Sequence, residues 1–62
     1  MRAILKKARQ EAGLTQQQVA DKLHISVRHY KYIEAGIRTG SISVWDTLED
    51  LLGVNQRKLR EQ

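Results

Sequence analysis

The 62-residue chain contains no cysteine, no proline and no phenylalanine, and only one tryptophan and two tyrosines. Without cysteine there is no disulfide and no thiolate metal site. That suits a reducing cytosol, so a cytoplasmic protein is expected. No apolar run approaches the length of a membrane span. The amino-terminal MRAILKKARQEAG is not a signal peptide, because Lys6, Lys7 and Arg9 interrupt its apolar stretch. No Pro-rich or Ser-rich linker, internal repeat or low-complexity segment divides the chain. No glycine-rich phosphate loop is present. A nucleophile would have to be Ser or Thr, and nothing places a His and an acid beside one. His24 and His29 are separated by five positions, with no clear third ligand. An enzyme, a metal site and a cofactor are therefore not expected. Nor is a small-molecule ligand evident. With so few aromatics, the stacking platforms of single-strand and RNA binders are missing as well.

What the chain does have is positive charge. Eleven Lys and Arg against seven Asp and Glu give +4, with a pI near 9.9. The charge is uneven. Residues 1–38 hold eight basic and three acidic residues, net +5, and residues 39–62 hold three and four, net −1. A basic surface attracts a polyanion through phosphate neutralisation and counterion release. The same excess also occurs on soluble proteins that bind no polyanion. The length makes one domain over residues 1–62, with a small core: such chains bury about 60% of their unfolded surface.

The most telling stretch is Thr15–Glu34, TQQQVADKLHISVRHYKYIE. Val19 and Leu23 are a helical step apart. Ile25 comes too soon for the same face, and the helical spacing resumes at Tyr30 and Ile33. This reads as two short helices joined by a tight turn, with small Ala20 allowing close approach. It is the layout of a helix-turn-helix, over about residues 15–35, which presents its second helix to the major groove of DNA.

Five helices are expected in all. The first spans about Arg2–Ala12, with Ile4, Leu5, Ala8 and Ala12 on its apolar face and Gly13 as its stop. The second starts behind Thr15, which forms a capping box with Gln18, and Leu14 and Val19 are placed for a hydrophobic staple. His24 falls at the turn, where it tolerates the left-handed region better than most residues. Ser26 caps the third helix, about Val27–Ala35, which Gly36 ends. Gly36–Ser41 is a loop. Ser43 is expected to cap the fourth helix, with Asp46 in its first turn and Ile42, Trp45, Leu48, Leu51 and Leu52 buried. Gly53 stops it, and Asn55 caps a last short helix through Leu59.

With Tyr30 and Ile33 turned inward, 100° per residue puts Arg28, Lys31, Tyr32 and Ala35 on the outer side of the third helix. Arg28 can donate two parallel hydrogen bonds to guanine O6 and N7, and Val27 suits a thymine methyl. Tyr32 can reach a base edge or a phosphate. The amino end of the second helix offers backbone N–H groups to phosphate, and Gln16 or Gln17 can add a side-chain contact to phosphate or an adjacent base. Tyr30 and Trp45 are expected in the core.

Four segments together, LKKARQEAGLTQ (Leu5–Gln16), VADKLHIS (Val19–Ser26), YIEAGIR (Tyr32–Arg38) and LEDLLGV (Leu48–Val54), make the chain resemble the lambda-repressor-like, Cro-type helix-turn-helix family. The resemblance runs from about Leu5 to Leu59. It implies a compact all-α, five-helix fold and binding to double-stranded DNA as a homodimer on a two-fold operator. It implies base readout by Gln16, Val27, Arg28 and Tyr32. Phosphate contacts fall to Arg9, Gln17, Lys31 and Arg38, and a structural salt bridge to Arg9 and Glu34. Two positions depart from the family: His24 stands where glycine is usual, and Gly40 where proline is usual, which implies a looser loop. No sensor domain follows in these 62 residues, so a dimer contact falls to the fourth and fifth helices. The expected role is a small transcriptional regulator, a phage- or bacterial-type repressor. The alternatives are a protein-interaction module or antitoxin component reusing the fold, and a non-specific compactor of nucleic acid.

Overall fold

The computed structural model describes residues 1–62 as five helices: α1 Ala3–Glu11, α2 Gln16–Leu23, α3 Val27–Ala35, α4 Ile42–Leu52 and α5 Gln56–Leu59. There are no strands. Leu5, Ala8, Val19, Ala20, Leu23, Tyr30, Ile33, Val44, Trp45, Leu48 and Leu59 form one core, drawn from every helix. No helix is long and apolar enough to cross a membrane.

Local chemistry sets the element ends. The Thr15 hydroxyl accepts from the Gln18 N–H at 3.1 Å, and the Gln18 side chain accepts from the Thr15 N–H at 2.9 Å, so the capping box is complete. His24 takes the left-handed conformation at φ +59°, the one non-glycine residue that does. The Ser26 hydroxyl then caps α3 through the His29 N–H. The turn between α2 and α3 is thus only His24–Ser26, short enough to hold the two helices against each other.

Four expectations are corrected. The cap of α4 is Ser41, whose hydroxyl accepts from the Val44 N–H at 3.3 Å; Ser43 lies inside the helix and meets the Ser41 hydroxyl. The helix starts earlier than expected, so its first turn holds no acid, and Asp46 instead accepts from the Gln56 amide at 2.7 Å. Ile42 is 77% exposed. The buried arc runs through Val44, Trp45 and Leu48, and a residue at the first helical position falls outside it. In α1, Ile4 and Ala12 are also exposed. The inward positions there belong to Leu5, Ala8 and Arg9, with Arg2 just before the helix. Charged residues hold part of the face that hydropathy assigns to apolar ones.

The loop Gly36–Ser41 is tied down despite Gly40. Gly36 leaves α3 at φ +84°, and the N–H groups of Ile37 and Arg38 both donate to the Tyr32 carbonyl, at 2.9 and 3.2 Å. The Trp45 indole N–H donates to the Thr39 carbonyl at 2.7 Å. Gly40 itself sits at φ +82°, a conformation that proline, locked near −65°, does not reach. The loop therefore takes a path of its own, held by side chains from the core.

Candidate nucleic-acid interface

The expected contact residues fall into two neighbouring groups around α3. Ser26, Arg28, His29, Tyr32 and Arg38 line one open cleft. Met1, Lys6, Arg9, Gln16, Lys31, Glu34 and Ala35 line another. Lys6, on α1, is a basic side chain that the helical wheel of α3 gave no reason to include. Gln17 and Val27 line neither cleft.

In the first cleft, Arg28 Nε donates to the Tyr32 hydroxyl at 3.3 Å, and its guanidinium carbon lies 5.9 Å from the Tyr32 ring centroid. One turn of helix separates the two residues, so their side chains meet on the same face. Arg28 is exposed and its two terminal nitrogens make no hydrogen bond within the chain. They are the pair that matches guanine O6 and N7. Tyr32 is half-buried and steadies the arginine stem. Val27, the first residue of α3, is also half-buried and packs on the core.

The second cleft rests on a buried ion pair. Arg9 Nε and Nη2 grip the two Glu34 carboxylate oxygens at 2.9 and 3.1 Å, and Nη1 donates to the Leu14 carbonyl at 2.9 Å. This ties α1 to the end of α3 and to the residue before the α2 cap. The Gln16 amide donates to the same carboxylate at 3.3 Å, so α2 joins the network. Burial, the largest single influence, would raise the Glu34 pKa, but the hydrogen bonds and charge of Arg9, together with the neighbouring Tyr30 and Gln16, outweigh it and hold the carboxyl below its ordinary range. Arg9 is pushed up by the same partner, against its own burial. Beside them the Tyr30 hydroxyl is buried and makes no hydrogen bond of good geometry; burial first, and then the adjoining Glu34 carboxylate, push its pKa well up.

Gln17 is exposed at the start of α2, where its amide donates to Asp21 at 2.9 Å. The amides of the first helical turn have no acceptor within the helix, and the Thr15 cap takes up only that of Gln18. Lys31 and Arg38 are exposed. The net effect is a surface made of the polar α2 amino end, the outer side of α3 and the following loop, with its positive charge on Arg28, Lys31 and Arg38 and the buried Arg9–Glu34 pair behind it.

Sequence reasoning missed Arg2. It is 3% exposed and hydrogen-bonds to three carbonyls. No motif marks it, because its partners lie 31 to 58 residues away.

Comparison with known families gives a match of residues 5–55 to a helix-turn-helix family model. No curated protein and no solved structure matched the chain.

Proposed function

The chain belongs to the lambda-repressor-like, Cro-type helix-turn-helix family of DNA-binding regulators, and on that footing we propose that it is a sequence-specific binder of double-stranded DNA that represses transcription at a two-fold operator. The 62 residues act as one helix-turn-helix domain. The observation that carries this reading is the first cleft: Arg28, Tyr32 and Arg38 share one exposed basic face of α3 and its loop.

In this mechanism α3 enters the major groove. Arg28 reads a guanine through its free terminal nitrogens, Val27 offers apolar contact at the amino end, and Tyr32 orients Arg28 and reaches an adjacent edge. Gln16 contributes to base readout at the edge of the groove, releasing Glu34 as it does so. Gln17 and the first amides of α2 meet one phosphate, Lys31 and Arg9 a second, and Arg38 a third. Two copies bind half-sites related by a two-fold axis. The contact between copies falls to α4 and α5, where Ile42, at the head of α4 and 77% exposed, is an apolar side chain open to it. Occupancy of the operator then blocks polymerase.

Selection from a random duplex pool at near-physiological salt tests this. An enriched palindrome with half-sites about 10 base pairs apart is the expected result. Absence of enrichment with folded protein overturns it in favour of a protein-interaction module, and binding without sequence preference points to a compactor.

A further inference from the structure

Arg2 lies off the DNA surface but bonds to the segment that carries Arg38. Its Nη1 donates to the Arg38 carbonyl at 2.8 Å and also to the Ile33 carbonyl. Its Nε donates to the Arg60 carbonyl at 3.1 Å, and its backbone N–H to the Glu34 carbonyl at 2.9 Å. The guanidinium carbon lies 5.1 Å from the Trp45 ring centroid. One residue at the head of α1 therefore reaches the last turn of α3, the loop after it and the end of α5.

Burying a cation is costly, and burial together with the nearby Arg60 charge lowers the Arg2 pKa. An apolar residue would fill the seam at less cost. What only a guanidinium supplies is a rigid planar fork that bonds several acceptors at fixed angles. The two carbonyls on Nη1, of Ile33 and Arg38, stand on either side of the turn at Gly36. Inside that bracket, the Ile37 and Arg38 N–H groups return to the Tyr32 carbonyl. The turn is clasped from both sides, and the clasp directs the loop back along α3.

We propose that Arg2 is a positioning residue of the DNA interface: it touches no DNA, and it sets Arg38 against α3 so that Arg28 and Arg38 engage one half-site together. This rests on the operator reading above. Without the return of the loop, the cleft shared by Arg28, Tyr32 and Arg38 does not form.

Arg2→Lys is the informative variant. It keeps the charge, and with it the long-range field, and an ammonium can still lie over Trp45, but the fork is gone. Arg2→Lys, Arg38→Ala and the double variant are titrated on the selected duplex over a range of salt, at a temperature where circular dichroism shows all of them folded. Arg2→Gln, planar but uncharged, serves where the lysine variant is not folded. Amide hydrogen exchange is followed in parallel. Arg2→Lys is expected to weaken binding about tenfold, to lower the salt slope by about one, and to add little to Arg38→Ala. Exchange at Ile37 and Arg38 should quicken while Val19 and Leu23 stay protected. Effects that multiply in the double variant, or an unchanged salt slope, reduce Arg2 to a stabilising residue and overturn the proposal. If the wild type binds no duplex, the operator reading falls, and unchanged exchange in the loop separately refutes the positioning role.

Discussion

At the scale of single residues, the interface depends on which charged groups are free and which are already committed. Arg28 is free at its two terminal nitrogens. Arg28→Ala should cost about 1–3 kcal/mol at the preferred site and relax specificity at one base position. Uniform weakening on every sequence, measured across a panel of mutated sites, would instead mark it as a phosphate contact. Arg9 and Glu34 are committed to each other, so their first role is in the fold. Glu34→Gln leaves Arg9 buried without its counter-charge, and loss of one member of such a pair costs about 3–5 kcal/mol. The sign of the pH effect follows from the depressed Glu34 pKa. The pair's contribution is full above the unfolded carboxyl value of about 4.3 and is lost as pH falls through the lower folded value. The melting temperature of the wild type should therefore drop in acid, and Glu34→Gln should flatten that part of the profile. A parallel drop in both proteins would contradict this. The Arg9–Glu34 bridge was readable only through the family resemblance. Arg2 was not readable at all, because hydropathy places a cation at the surface and its acceptors are backbone carbonyls with no sequence signature.

At the scale of elements, local rules were legible wherever the deciding groups are close in sequence. The Thr15 capping box, the Ser26 cap, the left-handed His24 and the bounds of α3 follow from residues within four positions of each other. The start of α4 did not follow, because Ser41 and Ser43 are equal candidates on local chemistry. The choice is made by the buried arc of Val44, Trp45 and Leu48 and by the Trp45 bond to Thr39. Ser41→Ala should destabilise the fold by about 1 kcal/mol through loss of the cap, and Ser43→Ala should have a much smaller effect. Urea unfolding of the two variants compares them directly; equal losses would place the cap elsewhere. The consequence is that α4 begins immediately after the loop that carries Arg38, so its cap also anchors that loop.

At the scale of the whole molecule, the five-helix all-α architecture was legible, because alternating apolar patterns and stops recur along the chain. How the ends are tied was not, since that depends on contacts across nearly the full length. The core is a single cluster to which α5 contributes Leu59, fully buried. A domain of this size has only about 3–9 kcal/mol of stability in all. Leu59→Ala should cost about 2–5 kcal/mol and unfold the DNA-binding surface with the rest, in one transition. Separate transitions for α5 and the helix-turn-helix, seen by calorimetry, would show that the core is divided. The Arg2 fork also brings residue 2 to the Arg60 carbonyl, and the Gln62 side chain lies against the turn at Gly36. Entry and exit of the chain thus share one spot on the surface. Seen as a building block, the domain is a plug with adjacent pins: it can be spliced into an exposed loop of an unrelated host without prying that loop apart, or closed into a ring by a short bridge and reopened elsewhere.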